Sequence, residues 1–520
     1  MGKKSIGIII ALGFLLGILP FLITWAATPK NAVFSGTLAN PDDYSAYLAA
    51  IQQGRSGSWL YHYNFTPENI QPRFMYPIYI LIGKLANFFG GSNIFWLHFS
   101  RLVFSFFAFY ALLFWVRSVF KAPSSLQSTA WILILFGSGL GFLSLLLKST
   151  SISADLSYPE WNTISSLITS PHYILSTGLL AIYYGALLRF EKRCNTWKWA
   201  MITTLSGIGI GFTYPYHVLT ISLFTGIWLI AIFIKQKTVS MSALGQGVII
   251  ITPIFIFLLY YIFIARQDTY WELNFVQNNN IAAPTFKSLV IGLGLLGFFA
   301  LFSIILKANK LTKGNLLYPF IWICVNLLVL YSPIPFAGRF LLGFHIPVAT
   351  LAAFFIENTL LKTINKPNFW RRMIILITLP STVLVIIFSV KNALITKDYP
   401  FYYPKDELTA ANWLAKQLTE EDITLANYPV GGYLPTVANT KVFLGQMHTT
   451  VDLEDKLASW KQFWNPQTPQ SWRNDFVEKW NITYIYHGYF ERIYSKDYIQ
   501  LPWKIIYEDN GVTIYSLENN

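Results

Sequence analysis

Residues 6–26 read IGIIIALGFLLGILPFLITWA, a stretch without a single charged side chain. A helix needs about 20 predominantly apolar residues to cross the hydrocarbon core of a bilayer, and this stretch is long enough. Working outward along the chain, the same criterion is met near 94–116, 128–147, 173–189, 199–215, 217–234, 244–264, 288–306, 316–332, 340–361 and 372–394. The sequence therefore predicts a mainly α fold, a polytopic membrane bundle of about 11 transmembrane helices.

The first apolar stretch also has an alternative interpretation. Lys3 and Lys4 precede it and it ends in Trp25-Ala26-Ala27, as in a cleaved signal peptide. The apolar core of a signal peptide usually spans about 7–15 residues, which is shorter than this stretch. Its length favours a retained membrane anchor.

The composition agrees with a membrane protein. Of the 520 residues, 54% are hydrophobic and 12% are charged, against roughly 25% charged in soluble domains. The net charge of +13 does not indicate nucleic-acid binding, because the basic residues punctuate the apolar stretches instead of forming one stripe. Cys194 falls in a predicted loop and Cys324 inside a predicted helix, which argues against a disulfide, and their spacing is not that of a metal site.

Lysine and arginine residues set the predicted orientation. With the amino terminus inside, the strongly basic loops all fall on the cytoplasmic side, near 117–121, 189–198, 235–237, 307–313 and 362–372. This holds only if residues 76–90, YPIYILIGKLANFFG, do not cross, so we interpret them as a helix at the outer interface. The sequence therefore predicts a multi-pass protein of the inner (cytoplasmic) membrane, in which loop 27–93 and everything after 395 are extracytoplasmic.

The C-terminal residues 396–520 differ from the transmembrane domain, residues 1–395. Charged residues become frequent there and the apolar runs shorten. The pattern predicts an amphipathic helix at Lys405–Leu418 and a hairpin at Trp503–Leu517 that turns at Asp509-Asn510-Gly511. Short strands are also predicted, at Ile423–Ala426, Lys441–Leu444 and Ile482–Tyr486. Together these elements predict a small α/β domain outside the cytoplasm.

The first outer loop carries an acidic pair, in Asn40-Pro41-Asp42-Asp43-Tyr44, just before the amphipathic stretch SAYLAAIQQG. Two adjacent carboxylates where the bilayer meets water are suited to act as a general base. The alternative is an N-cap for a helix beginning near Ser45. The two interpretations are compatible.

This arrangement resembles the GT-C glycosyltransferases. The resemblance rests on the first helix, the outer loop with its acidic pair, an interfacial helix starting at Tyr76-Pro77, the many further spans and the outer domain. The family includes protein O-mannosyltransferases, aminoarabinose transferases and oligosaccharyltransferase catalytic subunits. A missing WWDYG signature argues against an oligosaccharyltransferase and favours bacterial family-39-like enzymes.

The resemblance implies an activity as well as a fold. These enzymes take a sugar from a polyprenyl-phosphate carrier at the outer membrane face, with a first-loop acidic residue as base or as metal and acceptor ligand. Asp42 and Asp43 match that position, and Asp42 is the preferred base. The acceptor class (glycan, lipid or protein) stays open. So does a divalent metal, Mg or Mn, for which Asp42, Asp43, Glu160 and His172 are the candidate ligands.

The second outer loop offers candidate substrate-binding residues. Two carboxylates, Asp155 and Glu160, lie beside Trp161, and His172 follows a few residues later. Aromatic faces stack on pyranose rings, so we predict a sugar site here and include Tyr44 of the first loop. The alternative is an interfacial belt, because Trp and Tyr accumulate at membrane surfaces without a function.

A phosphate carrier needs a positive partner at the outer interface. Arg339 is the first candidate, because it lies in the Pro-rich break SPIPFAGRF at the mouth of a helix. Arginine can bind phosphate through two parallel hydrogen bonds. Arg266 is the second candidate. Arg339 could instead snorkel at the helix end.

Two other functions are alternatives to the transferase. A lipid-linked sugar transporter or flippase would place ionisable residues near the bilayer midplane. Here the middles of the predicted spans are nearly free of charge, and the acidic and aromatic residues gather at one face. A non-catalytic binding protein would use the C-terminal domain alone. The gathering of these residues at one face favours the transferase over the transporter, and the acidic pair and Arg339 favour it over the binding protein.

Overall fold

The computed structural model describes residues 2–121, 125–148, 152–193, 197–236, 241–267, 280–306, 314–495 and 499–517. The chain divides into two compact units. The bundle unit comprises Met1–Pro20 and Ser100–Ser389, and the mixed unit comprises Phe21–Phe99 and Val390–Asn520.

Helices account for most of the described chain. In chain order they are α1 (Lys3–Ala26), α2 (Pro41–Arg55), α3 (Pro77–Phe89), α4 (Asn93–Val119), α5 (Ser125–Phe136), α6 (Gly141–Leu146), α7 (Ala154–Ser157), α8 (Thr163–Thr169), α9 (Pro171–Arg193), α10 (Trp197–Thr213), α11 (His217–Gln236), α12 (Met241–Gln267), α13 (Phe286–Leu306), α14 (Leu317–Leu330), α15 (His345–Phe355), α16 (Leu361–Thr363), α17 (Pro367–Ile377), α18 (Pro380–Thr396), α19 (Lys405–Leu414), α20 (Tyr428–Tyr433), α21 (Leu453–Phe463), α22 (Gln470–Lys479) and α23 (Tyr489–Ser495). Short 3₁₀ turns cover Ala337–Leu341 and Leu434–Thr436, and a π-helical turn covers Ile356–Leu360.

The helices confirm the predicted polytopic membrane bundle. Within the described residues, seven helical runs are long and apolar enough to span a bilayer: Lys4–Ala26, Asn93–Val119, Pro171–Glu191, Gly245–Ile264, Phe286–Leu306, Ala337–Thr363 and Pro367–Thr396. Shorter apolar helices accompany them, at Pro77–Phe89, Ser125–Phe136, His217–Ala231 and Leu317–Leu330. The predicted spans 199–215 and 217–234 are separate helices in the structure, because α10 ends at Thr213 and α11 begins at His217.

The prediction of one continuous helix at 128–147 is wrong. Helix α5 ends at Phe136, and the chain is not helical again until α6. A Cβ atom on Gly139 would lie 1.8 Å from the carbonyl oxygen of Gly292, so glycine permits a backbone contact there. Backbone amides that lose their helical partner at the break are hydrogen-bonded elsewhere in the protein, since Ser138 N donates to the carbonyl of Thr378 at 2.8 Å and Leu140 N to that of Ile291 at 3.0 Å. Non-helical backbone in a bilayer requires such internal satisfaction.

The mixed unit contains a five-stranded sheet in the order β4-β3-β5-β7-β6, with strands β3 (Ile423–Leu425), β4 (Lys441–Val442), β5 (Tyr484–His487), β6 (Lys504–Asp509) and β7 (Val512–Ser516). Strand β3 runs parallel to β4 and β5, and the β6–β7 hairpin is antiparallel. The hairpin turns at Asn510 and Gly511, both with positive φ, as the Asn-Gly pair predicts. The predicted C-terminal α/β domain is confirmed. The predicted helix from Lys405 ends at Leu414, four residues early.

The first loop folds together with the C-terminal segment in this unit. Strand β1 (Ala32–Phe34) pairs antiparallel with β2 (Tyr402–Pro404). Ala46 and Ala49 of α2 share a buried core with Val430 of α20. The boundary predicted at 395/396 remains a prediction, but loop 27–93 and the C-terminal segment have one core in common.

Candidate functional site

The acidic pair lies in the first turn of α2. Asn40 adopts a left-handed conformation (φ 49°), and Pro41 occupies the first helical position, for which its ring is pre-organised. The helix therefore begins four residues before the predicted start at Ser45, and neither aspartate is its N-cap. Asp42 and Asp43 instead present their carboxylates to the positive end of the helix dipole, which favours negative charge.

Asp42 is held by a tyrosine of the C-terminal segment. The Tyr428 hydroxyl donates to Asp42 Oδ1, and the same hydroxyl accepts from the amide of Met447 at 2.8 Å. Burial and the neighbouring Asp42 carboxylate raise the pKa of Tyr428, so its hydroxyl stays a hydrogen-bond donor. Asp43 is also half-buried, and Asn40 Nδ2 donates to its Oδ2 at 3.4 Å.

Other tyrosines surround the same carboxylate. Burial, followed by the charge of Asp42, raises the pKa of Tyr399. Tyr403 lies against Tyr399, with ring centroids 5.6 Å apart. Tyr44, predicted as a substrate contact, is buried and lies beside Tyr47 at a ring distance of 6.4 Å. The Asp42 carboxylate thus lies near the phenol groups of Tyr399, Tyr403 and Tyr428.

Tyr428 was not among the site residues predicted from the sequence. The available signal was its position, since it follows the predicted strand Ile423–Ala426 and begins a short helix. Functional groups concentrate at the carboxyl ends of parallel strands. Strand β3 is parallel to both of its neighbours, so this end of it is such a place.

The bundle unit contains a second polar cluster, built on an ion pair. Arg339 Nη1 lies 2.8 Å from Glu160 Oε1, and the two side chains are 12% and 0% exposed. The same oxygen accepts from the Tyr214 hydroxyl at 3.1 Å, and Arg339 donates to the Tyr173 hydroxyl. Glu160 Oε2 is buried and has no hydrogen-bond partner among the described residues. That oxygen could accept from a ligand hydroxyl.

His172 completes this cluster. Its ring packs edge-on against Tyr173 at 4.6 Å and roughly parallel to Tyr214 at 6.1 Å. The structure therefore brings together three of the predicted residues, Glu160, His172 and Arg339. Two tyrosines that were not among the predicted site residues join them.

Asp155 and Trp161 have other surroundings. Asp155 accepts from the Gly141 amide at 3.0 Å and from the Ser153 hydroxyl at 2.6 Å, so it holds the start of α6. Burial raises the pKa of Asp155. Trp161 is buried, and its ring lies about where a side chain on Gly292 would be. These contacts stabilise the break between α5 and α6.

Arg266 lies in the last turn of α12 and is exposed. Residues 268–279, which follow it in the predicted outer loop, lie outside the described part of the chain. Its predicted role in binding phosphate remains a prediction.

Comparison with solved structures identifies the architecture. The oligosaccharyltransferase of Archaeoglobus fulgidus, in complex with Zn and sulfate, superposes with a TM-score of 0.55 at 13% identity over 92% of this chain and 67% of that one. ArnT from Cupriavidus metallidurans, bound to undecaprenyl phosphate, gives a TM-score of 0.53 at 10% identity over 99% of this chain and 98% of that one. This chain has the GT-C fold. No protein-family model and no curated protein matches the sequence.

Two of the solved structures that share the GT-C fold with this chain contain a lipid phosphate. One is bound to undecaprenyl phosphate, and the archaeal enzyme AglB is in complex with an inhibitory peptide and a dolichol-phosphate at a TM-score of 0.51, 13% identity and 91% and 69% coverage. At such low identity the likeness establishes the GT-C fold, and function has to be argued from this chain's own residues.

The candidate metal ligands do not form a metal site. Among the residues that the structure describes, no three His, Cys, Asp or Glu side chains are grouped to hold an ion. Glu160 is already neutralised by Arg339, and His172 is enclosed by Tyr173 and Tyr214. Glu160 and His172 are therefore not arranged as metal ligands, and no step of the proposed reaction is assigned to a metal.

Proposed function

We propose that this chain is a membrane glycosyltransferase. It moves a sugar from a polyprenyl-phosphate donor to an acceptor hydroxyl on the extracytoplasmic face, with Asp42 as general base. The observation that carries this proposal is the half-buried Asp42 carboxylate, at a helix N-terminus and held by the Tyr428 hydroxyl. The GT-C fold supports it, since the solved proteins with this fold include glycosyltransferases.

The reaction is a single displacement. Asp42 removes the proton of the acceptor hydroxyl while its oxygen attacks the anomeric carbon. The bond from that carbon to the phosphate oxygen breaks, and the phosphate leaves with the electron pair. The anomeric configuration inverts. Asp43, one residue further along α2, is the alternative base.

Arg339 is the proposed partner of the donor phosphate. Its guanidinium is held by Glu160 and Tyr173, which fixes its planar donors in one orientation. Glu160 and His172 are proposed to contact the sugar, through the imidazole ring and through Glu160 Oε2, which has no hydrogen-bond partner in the described part of the chain. Arg266 remains the second candidate for phosphate.

The test is sugar transfer in membranes from a panel of labelled polyprenyl-phosphate sugars. We expect Asp42→Asn to lower transfer at least about 100-fold, the usual range for loss of a general base. Asp475→Asn, on an exposed part of α22, is the matched control and should leave transfer unchanged. Unchanged transfer in both Asp42→Asn and Asp43→Asn would remove the acidic pair from the mechanism. Absence of transfer over the whole panel would favour a transporter or a binding protein.

A further inference from the structure

The Tyr428 hydroxyl bridges a backbone amide and the carboxylate of Asp42. It accepts from Met447 N at 2.8 Å, which directs its own proton to Asp42 Oδ1. We propose that Tyr428 is the positioning residue of the base, and that Glu491 fixes Tyr428 through Asn427. This inference rests on the proposed function, because it assigns Asp42 the role of base.

The buried carboxylate of Glu491 fixes Asn427, the residue that precedes Tyr428. Glu491 Oε1 accepts from both the backbone N and the side-chain Nδ2 of Asn427, each at 2.7 Å. Glu491 Oε2 accepts from the Gly488 amide at 3.0 Å. Asn427 in turn caps α20, its side-chain oxygen accepting from Val430 N at 2.8 Å. The backbone N–H of Asn427 and both polar atoms of its side chain are thereby hydrogen-bonded, and Tyr428 is the next residue in the chain.

The arrangement orients the base as well as holding it. With Oδ1 engaged by Tyr428, the carboxylate plane is fixed and Oδ2 is left for the incoming hydroxyl. Proton transfer is efficient only when donor and acceptor are within hydrogen-bond reach. A hydroxyl that can rotate would fix nothing, and the Met447 amide removes that rotation.

A purely structural role is the competing explanation. Tyr428 would then serve only to attach the first loop to the C-terminal segment. That attachment has other contacts, however. Strands β1 and β2 pair, and Lys456 Nζ binds Glu68 Oε1 at 2.6 Å and Thr66 Oγ1 at 3.0 Å. Loss of one hydroxyl should therefore leave the unit folded and affect turnover.

The first experiment compares Tyr428→Phe with Tyr433→Phe in the full-length protein. Tyr433 lies on the same helix, but its hydroxyl donates to Asn412 Oδ1 at 3.1 Å. We expect Tyr428→Phe to lower kcat about 10- to 100-fold, the worth of a hydrogen bond to a charged group, with acceptor KM unchanged. The acidic limb of its pH–rate profile should move to higher pH. Tyr433→Phe should match the wild type.

The upstream part of the proposal has its own variant. Glu491→Gln would turn an amide NH₂ towards one of the N–H donors of Asn427 or Gly488. We expect it to lower kcat in the same way, with less than additive loss when combined with Tyr428→Phe, because the two act in series. Full additivity would overturn the role of Glu491.

A wild-type kcat and pH profile in Tyr428→Phe would overturn the proposal while leaving Asp42 as base, provided that Asp42→Asn is inactive. A change in acceptor KM alone would make Tyr428 a substrate contact, which also overturns it. If Asp42→Asn retains transfer, the proposed base itself fails. A melting-temperature cycle decides the contact independently of activity: Asp42→Ala and Tyr428→Phe should be non-additive, whereas Asp42→Ala and Tyr433→Phe should add.

Discussion

At the scale of single residues, the buried pair of Glu160 and Arg339 determines how the phosphate site can be tested. Removing the arginine side chain would leave Glu160 buried without a counter-charge, which costs about 3–5 kcal/mol. A loss of activity in Arg339→Ala would then report on stability as much as on binding. Milder changes on both partners are more informative.

We expect Glu160→Gln and Arg339→Lys to change donor binding in opposite directions. The glutamine can still accept from Tyr214, and its NH₂ can donate to the sugar hydroxyl from which Oε2 would accept, but it no longer neutralises the positive charge of Arg339, so donor KM should fall several-fold. The lysine keeps the charge and loses the bidentate fork, so donor KM should rise about 10-fold. Donor titrations in membranes measure both. An equal rise of KM in the two variants would contradict a phosphate role for Arg339.

A second residue-scale prediction concerns His487 of β5. It is buried and stacked on Trp464 at 4.7 Å, and burial, with a smaller effect of Arg492, lowers its pKa from 6.5 to about 4. Between pH 6.5 and pH 4 the unfolded chain binds a proton at His487 that the folded protein does not bind. The free energy of unfolding is therefore highest above pH 6.5 and falls as pH is lowered towards 4. The loss amounts to about 3 kcal/mol at most.

The matched variant is His487→Phe, which keeps an aromatic ring on Trp464 and removes the titration. In detergent solution, we expect the melting temperature of the variant minus that of the wild type to rise steadily as pH is lowered from 6.5 to 4. The effects of other acidic groups, such as buried Glu491, are present in both proteins and cancel in the difference. A difference that does not vary with pH would refute the assignment.

Single residues also show what sequence could reveal about the site. Glu160, His172 and Arg339 stood out because charged and imidazole side chains are rare in a chain with 12% charged residues. Tyr428 did not, because it is one of 30 tyrosines, and only the fold brings its hydroxyl to Asp42. Asp155 was as conspicuous as Glu160, but its carboxylate holds the Gly141 amide.

At the scale of elements, the contact between α2 and α3 positions the acidic pair. The two helices approach so closely that a Cβ atom on Gly83 would lie 2.0 Å from the carbonyl oxygen of Ile51. One on Gly54 would lie 2.2 Å from the carbonyl of Ile80. Only glycine permits this backbone approach.

We expect Gly83→Ala to destabilise the protein, because the extra methyl group must push the two helices apart. Such overpacking typically costs about 1–3 kcal/mol. Gly226→Ala in α11 is the matched control, since no atom of the described residues lies within 4 Å of the added Cβ, and it should be neutral or stabilising by up to about 1 kcal/mol. Thermal melts followed by tryptophan fluorescence measure both. Equal melting temperatures would show that the helices separate without cost.

Elements also show why part of the fold was missed. Apolar length located the spans, but it could not reveal the break at 137–140, because those residues are small or apolar. The break depends on a distant partner, the carbonyl of Gly292, which approaches Gly139 closely. The Asn510-Gly511 hairpin, by contrast, is a local signal and was predicted correctly.

At the scale of the whole molecule, the mixed unit constrains the topology of the chain. Strands β1 and β2 pair, so the first loop and the C-terminal segment must lie on the same side of the membrane. An even number of crossings must separate them. The predicted spans between them number ten, with α5 and α6 counted as one crossing. If α3 crossed as well, the number would be odd and the pairing impossible.

Helix α3 has the surface expected of an interfacial helix. It exposes Leu85, Phe88 and Phe89, while Lys84 lies over the ring of Trp59 at 4.1 Å. Apolar side chains flanked by a lysine and a tryptophan are typical of a helix lying along a membrane surface. A helix α3 that lies along the surface agrees with the even number of membrane crossings that the pairing of β1 with β2 requires.

Cysteine labelling in a Cys194→Ser/Cys324→Ser background tests this topology directly. Ser56→Cys and Lys121→Cys are both exposed and are separated by α3 and α4. If α3 does not cross, they lie on opposite sides, so a membrane-impermeant maleimide should label Ser56→Cys in intact cells and Lys121→Cys only after permeabilisation. Asp475→Cys in α22 should behave like Ser56→Cys, because the first loop and the C-terminal segment that contains α22 pack together through Ala46, Ala49 and Val430. Labelling of both Ser56→Cys and Lys121→Cys in intact cells would mean that α3 crosses, and the charge-based orientation would then be wrong downstream.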